Sequence, residues 1–188
     1  DLAAMKKRLE QQNGVSITAE KLWDSIKLYD ETRDLGREIY EMRKAEHPPI
    51  YGAEVMELLN AAVRMPREEY NPLLRRLIQE LKDSGRALSG KTRVMISASV
   101  LNNPEFIRGV ERLGALVVTD DVCTGARYFW DEVKPNLDPL TAIADRYLDR
   151  TPCPTKDWSE RRRFPRILEF AKDYDAKGAI LMQQKFCD

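Results

Sequence analysis

The sequence predicts an α/β protein in which a parallel sheet with flanking helices follows a helical region. Over the first 90 residues, apolar positions recur at three- and four-residue spacing, which is typical of amphipathic helices. After residue 90, short β-branched and apolar runs alternate with helical stretches. That alternation is the pattern of β-α-β units, which place successive strands parallel in one sheet.

The longest predicted helix in the first region carries Leu22, Ile26 and Ile39 at helical spacing. Thr18 is its predicted N-cap, because a threonine hydroxyl can accept a hydrogen bond from the first turn. The His47-Pro48-Pro49 turn is predicted to end it, since proline cannot continue the helical hydrogen bonds. Shorter helices are predicted at about 52–64 and 67–83.

Three strand-like runs are predicted in the second region, at 93–98, 115–119 and 178–182. The intervening helices are predicted at 104–114, 140–148 and 159–178. This order predicts an open parallel sheet of the Rossmann or flavodoxin-like type, covered by helices on both faces.

The composition argues against nucleic-acid and membrane partners and indicates a cellular compartment. Lysine and arginine number 31 and so do aspartate and glutamate, so no net charge draws the chain to nucleic acid or an anionic membrane. No run of about eighteen apolar residues is present, so no bilayer span is predicted. Three widely spaced cysteines do not resemble a secreted disulfide framework, which favours a reducing cytoplasm.

We expect the chain to be a piece of a longer polypeptide. It opens within a helical pattern and stops one residue after Cys187. On that expectation, residues 1–90 form a helical region that links to a further N-terminal domain. Residues 91–188 then form an α/β domain that is truncated at its C-terminal end.

The predicted strand ends carry most of the unusual residues. In an open parallel sheet, ligands bind beyond the carboxyl ends of the strands. We therefore expect one cleft at this edge, with no catalytic residue assigned within it. The strand ends contribute Ser97, Ser99, Asp121, Cys123, Arg127, Lys185 and Cys187.

Each cysteine has a structural and a metal-binding interpretation, since cysteine often behaves as a small buried hydrophobe. Burial suits Cys123 best, because a valine precedes it and an aromatic run follows. Cys187 has polar neighbours, and Cys153 lies between two prolines in a stiff loop. No closely spaced cysteine pair occurs, so spacing alone does not establish a metal site.

Common nucleotide-binding and hydrolase motifs are absent from the sequence. It contains no GxGxxG, no Walker-type loop and no GxSxG elbow. The lone His47 is interpreted as a helix-terminus residue beside two prolines. The Arg161–Arg163 run is interpreted as a solvated helix face, with contact to an acidic cofactor such as coenzyme A as the alternative.

Four segments resemble successive blocks of a known family over nearly all of the 188 residues: RVMISASVLNNPEF, GALVVTDDVCTGARYFW, RYLDRTPCP and GAILMQQKFCD. The family is the D-component of 2-hydroxyacyl-CoA dehydratases and their benzoyl-CoA reductase relatives. The resemblance implies an enzyme subunit that pairs with a homologous second subunit. It also implies low-potential electrons from an ATP-hydrolysing iron–sulfur activator, and anaerobic radical chemistry on a CoA thioester.

The resemblance further implies a [4Fe-4S] cluster. Cys187 is similar to the family's last cluster ligand, and the other two ligands belong to an earlier domain. Cys153 matches a family block and is the second candidate for a metal ligand in this chain. An alternative is a non-catalytic partner subunit whose cluster relays electrons or supports the catalytic subunit. Dehydration and aromatic-ring reduction both stay open, as does the identity of the acyl group.

Overall fold

The computed structural model describes residues 1–89, 92–135, 138–150, 161–183 and 185. In chain order the described elements are α1 (Leu2–Asn13), α2 (Ala19–Met42), α3 (Gly52–Ala62), α4 (Arg67–Asp83), β1 (Thr92–Ser97), α5 (Pro104–Arg112), β2 (Ala115–Asp121), α6 (Ala126–Phe129), α7 (Pro139–Asp149), α8 (Arg163–Asp173) and β3 (Gly178–Leu181). No helix in the described ranges is both long and apolar enough to cross a membrane.

The three strands form one parallel sheet in the order β2-β1-β3. The central strand β1 pairs parallel with both neighbours, and helices separate the strands along the chain. The predicted parallel sheet is therefore confirmed. Because the strands run in the same direction, all three carboxyl ends lie at one edge, where ligands bind in open sheets of this kind.

The alternation of side chains along β1 divides the core between the two faces of the sheet. Met95 packs on one face in a cluster with residues of α2, α3, α4, α6 and α8. Val94 and Ile96 pack on the other face with residues of α3 and α5. The helices that precede the sheet therefore share a core with it, and burial of their apolar sides holds the two regions together.

Strand β2 carries an extra residue relative to β1 just after Val117, which forms a β-bulge. Buried charged side chains form hydrogen bonds with the backbone groups of Val117 at this bulge. The Val117 carbonyl accepts a hydrogen bond from Arg43 Nη2 at 2.7 Å. The Val117 N–H donates to Glu111 Oε1 at 3.3 Å, and the same oxygen accepts from the N–H of Gly52 at 2.8 Å. Glu111 thereby ties the N-terminus of α3 to the irregular point in the sheet.

Helix α2 begins after Thr18, whose hydroxyl accepts from the Lys21 N–H, so the predicted N-cap is confirmed. Its end differs from the prediction, because it stops at Met42 and not at the proline pair. Arg93 explains the early end. Its guanidinium donates to the carbonyls of Arg43 and Ala45, each at 2.8 Å, and so holds the segment after α2 against the sheet.

Candidate functional site

Asp121 is the centre of a charged cluster at the carboxyl ends of β1 and β2. The residue is 2% exposed. Arg163 Nη2 donates to Asp121 Oδ2 at 2.7 Å, and Arg127 Nε lies 3.2 Å from Asp121 Oδ1. The Ser97 hydroxyl also donates to Oδ2, at 3.2 Å. We call Ser97, Asp121, Arg127 and Arg163 the Asp121 cluster.

Arg127 fastens the strand ends together through backbone carbonyls. Its Nη2 donates to the carbonyl oxygens of Ala98, of Ser99 at 3.2 Å and of Asp121 at 2.9 Å. Its Nε forms an ion pair with Asp121 that is not aligned as a hydrogen bond, and its Nη1 is buried without a hydrogen-bond partner. Two arginines therefore contact one aspartate, and one buried donor of Arg127 has no hydrogen-bond partner.

Ser99 and Cys123 lie beside the cluster, as the strand-end rule predicted. The N–H of Cys123 donates to the carbonyl of Ser99 at 2.8 Å. Cys123 is half-buried, so the interpretation of this residue as a core cysteine is wrong. The preceding residue, Val122, takes the core position and is fully buried, which leaves the next side chain at the margin of the core.

Three further predicted site residues come later in the chain. Lys185 lies exposed beyond the end of β3. Cys153 and Cys187 lie outside the described residues, so their ligand roles stay predictions. Within the described ranges, no three histidine, cysteine, aspartate or glutamate side chains gather as a metal site.

Arg163 was not predicted as a site residue, and the interpretation of its arginine run as a solvated face is wrong at this position. Its side chain is only 19% exposed and binds both Asp121 and Ser97. Arg161 and Arg162 are exposed, as that interpretation required. The signal was present in the spacing, because Arg163 precedes the inward-facing Ile167 by four residues and so shares its side of α8.

Asp120 organises the loop that follows β2. Its Oδ1 accepts from the N–H groups of Ala126 at 2.9 Å and Val122 at 3.3 Å, and its Oδ2 accepts from the Tyr40 hydroxyl. These bonds start the short helix α6, which the sequence did not predict. Burial raises the pKa of Asp120, and burial together with the Asp120 charge raises the pKa of Tyr40 well above its ordinary value.

An Asp120→Asn variant should change how stability depends on pH. Because burial raises the folded-state pKa of Asp120, its contribution to stability is complete below its unfolded value of about 4 and is lost as pH rises through the folded pKa. We expect the unfolding free energy of the native protein to fall relative to that of the variant as pH rises above about 4. Urea denaturation at several pH values measures this difference, and a constant difference would contradict the assignment.

Gly125 sits where the loop passes over the Asp120 carboxylate. A Cβ at this position would lie 2.1 Å from Asp120 Oδ1 and 2.7 Å from a methyl carbon of Val122. We expect Gly125→Ala to cost about 1–3 kcal/mol of unfolding free energy. Gly109→Ala is the matched control, because it lies inside α5 with nothing within 4 Å and should stabilise by about 0.5–1 kcal/mol. Equal effects of the two variants in urea denaturation would refute the close-approach explanation.

The fold and the cluster together define an α/β protein with a charged, partly unsatisfied site at the strand ends. A sequence profile of the 2-hydroxyglutaryl-CoA dehydratase D-component family matches residues 1–188. The chain therefore belongs to this family, as the resemblance in the sequence implied.

Curated relatives agree with the family. The chain is 28% identical over 192 residues to a benzoyl-CoA reductase subunit of Thauera aromatica, covering 100% of the chain and 50% of the relative. It is 27% identical to the (R)-phenyllactyl-CoA dehydratase beta subunit of Clostridium sporogenes, with 96% and 48% covered. It is 26% identical to the (R)-2-hydroxyglutaryl-CoA dehydratase beta subunit of Acidaminococcus fermentans, with 98% and 50% covered. The chain thus spans about half the length of these relatives.

Proposed function

We propose that the full-length protein is a subunit of an iron–sulfur enzyme that acts on a CoA thioester. The observation that carries this proposal is the family match over residues 1–188. The relatives described above are named as subunits of benzoyl-CoA reductase and of 2-hydroxyacyl-CoA dehydratases. The reaction is accordingly either dehydration of a 2-hydroxyacyl-CoA or reduction of an aromatic acyl-CoA ring.

The proposed cofactor is a [4Fe-4S] cluster with Cys187 as one thiolate ligand and Cys153 as a second candidate. When bound, the cluster supplies single electrons. The parallel sheet supports this proposal, because ligands bind at the carboxyl ends of such strands and the Asp121 cluster gathers charged side chains there. The sequence places Cys187 six residues after β3, whose carboxyl end faces the same edge.

The proposed partners are a homologous second subunit and an ATP-hydrolysing activator that delivers low-potential electrons. A reducing cytoplasm is the proposed location, since it keeps the three cysteines as thiols. The residues of the Asp121 cluster would then fix the shape of this edge of the sheet. Arg127 donates hydrogen bonds to three carbonyls at the strand ends, and Asp121 forms ion pairs with Arg127 and Arg163.

Turnover assays with the full-length subunit, its partner and the activator test the proposal. Under anaerobic conditions with ATP, we expect either loss of water from a 2-hydroxyacyl-CoA or ring reduction of benzoyl-CoA, with product mass identifying which one. Inactivity on both classes of thioester by an iron-loaded complex would contradict the proposed function. Binding of the thioester to this subunit without its partner separates a catalytic subunit from one that only relays electrons.

A further inference from the structure

Strand β3 is an edge strand that the described helices leave largely uncovered. It pairs with β1 on one side, and no residue in the described ranges pairs with its other side. The strand, Gly178–Leu181, contains no polar side chain, yet Leu181 is 77% exposed and only Ile180 is half-buried. Because parallel sheets are normally covered on both faces, the residues of β3 suit a buried position that the described elements do not provide.

The exposed Leu181 side chain lies on the same face of the sheet as α8. Partner residues in a parallel ladder share a face, so Leu181 lies on the face of its partner Ser97 and of Met95. Met95 belongs to the same core cluster as Phe170 of α8. Ile180, by contrast, packs against the cluster on the other face. An uncovered apolar position therefore lies beyond β1 on the α8 side of the sheet.

The flank of α8 that is directed toward β3 is also apolar. The opposite flank carries Arg166, whose guanidinium lies 5.0 Å from the Trp130 ring. Trp130 in turn packs against Tyr40 of α2, which is hydrogen-bonded to the end of β2. Phe164 and Leu168 are each two residues from Arg166, about half a helical turn, so they face the β3 side. Both are more than half exposed, Leu168 at 69%.

We call the exposed apolar side chains at this margin of the sheet the β3 patch: Phe164, Leu168 and Leu181. Single exposed apolar residues are ordinary on protein surfaces. Several on one side of a sheet, next to an unpaired strand edge, mark a surface that another structural element covers.

The order of the strands predicts which element covers the patch. The connection from β1 to β2 passes through α5 on one face of the sheet. The connection from β2 to β3 runs across the sheet in the other direction, through α8 on the other face. Right-handed crossovers require this change of face. A further right-handed crossover past β3 would place its helix beside α8 and its strand against the free edge of β3.

We propose that a β-α unit of the same polypeptide, outside residues 1–188, covers the β3 patch. Its strand pairs parallel with β3, and its helix packs on Phe164, Leu168 and Leu181. The chain spans about half the length of its curated relatives, which contain enough additional residues for such a unit. A fourth strand would also bring the sheet to the common size of about 4–6 strands. This interface goes beyond the proposed function and does not depend on it.

Thiol labelling of the full-length protein tests whether the patch is covered. Leu168→Cys and Leu181→Cys each place a thiol in the patch, and peptide mass spectrometry follows its reaction with a maleimide. Leu113→Cys is the matched control, because Leu113 is 91% exposed in the turn after α5. We expect both patch variants to react at least about tenfold more slowly than the control, since the interface must open before the thiol reacts.

Hydrogen exchange of the unsubstituted full-length protein tests the strand pairing, and it stays valid if a variant fails to fold. Alternate amides of an edge strand point away from its one partner and exchange quickly. We expect every amide of β3 to be protected, as in the central strand β1.

Both measurements are made on the monomeric full-length subunit and again in the presence of its homologous partner. Slow labelling and full β3 protection in the monomer support the proposal. Fast labelling of both patch variants, fast exchange of alternate β3 amides, or protection that appears only on association with another chain would overturn it. Iron content and thioester turnover, measured separately, report on the proposed function.

Discussion

Replacing Asp121 by alanine is expected to lower the unfolding free energy by about 3–5 kcal/mol. The substitution leaves the buried guanidinium of Arg127 and the largely buried one of Arg163 without their shared counter-charge. It also removes the acceptor of the Ser97 hydroxyl, which is one of the hydrogen bonds between the ends of β1 and β2. Urea denaturation of the native and variant proteins at neutral pH measures the loss.

Glu80→Ala is the control for this prediction. The Glu80–Arg76 ion pair has an N–O distance of 2.8 Å, close to the 2.7 Å between Arg163 and Asp121. Unlike that pair, the side chains of Glu80 and Arg76 are both more than half exposed. Exposed pairs contribute roughly 0–1 kcal/mol, so this variant should be nearly neutral. Similar losses in the two variants would show that burial of the Asp121 cluster does not determine its contribution to stability.

Replacing Cys187 by serine in the full-length protein should have the largest effect on the cofactor. A serine hydroxyl keeps the size of the side chain but replaces a thiolate ligand by a group of much higher pKa. We expect the cluster to become labile or to shift in potential, and electron transfer from the activator to fall sharply. Iron analysis after anaerobic purification and activator-dependent reduction measure both effects.

Cys123→Ser is the matched control, because it makes the same chemical change at a cysteine that the structure places beside the Asp121 cluster. Since Cys123 is half-buried, the serine variant should keep its iron and lose less than about 1 kcal/mol of stability. Thermal melts and iron assays compare the two variants directly. Full iron and activity in Cys187→Ser would move the ligand assignment to Cys153.

The parallel strands and the start of α2 could be predicted from the sequence because they depend on local patterns of residues. Alternating apolar runs and helices predicted the three parallel strands, and the Thr18 cap followed from helix-start chemistry. The end of α2 was misplaced because Arg93, some fifty residues away, binds the carbonyls after the helix. A local pattern does not contain such a long-range contact.

The strand-end rule correctly brought Ser97, Ser99, Asp121, Cys123 and Arg127 to one edge of the sheet. It could not identify Arg163, because the ion pair with Asp121 depends on how α8 lies across the sheet. The hydrogen bond between Tyr40 and the buried Asp120 could not be predicted either, because the two residues lie eighty positions apart in the sequence.

The iron and acid-labile sulfide content of the full-length protein tests most directly whether this chain is part of an iron–sulfur subunit, as we propose. After anaerobic purification with its partner, we expect about four irons and four sulfides in this subunit, as a single [4Fe-4S] cluster requires. A folded subunit that contains neither iron nor sulfide under those conditions, yet supports turnover of a CoA thioester with its partner, would contradict the proposed [4Fe-4S] cofactor.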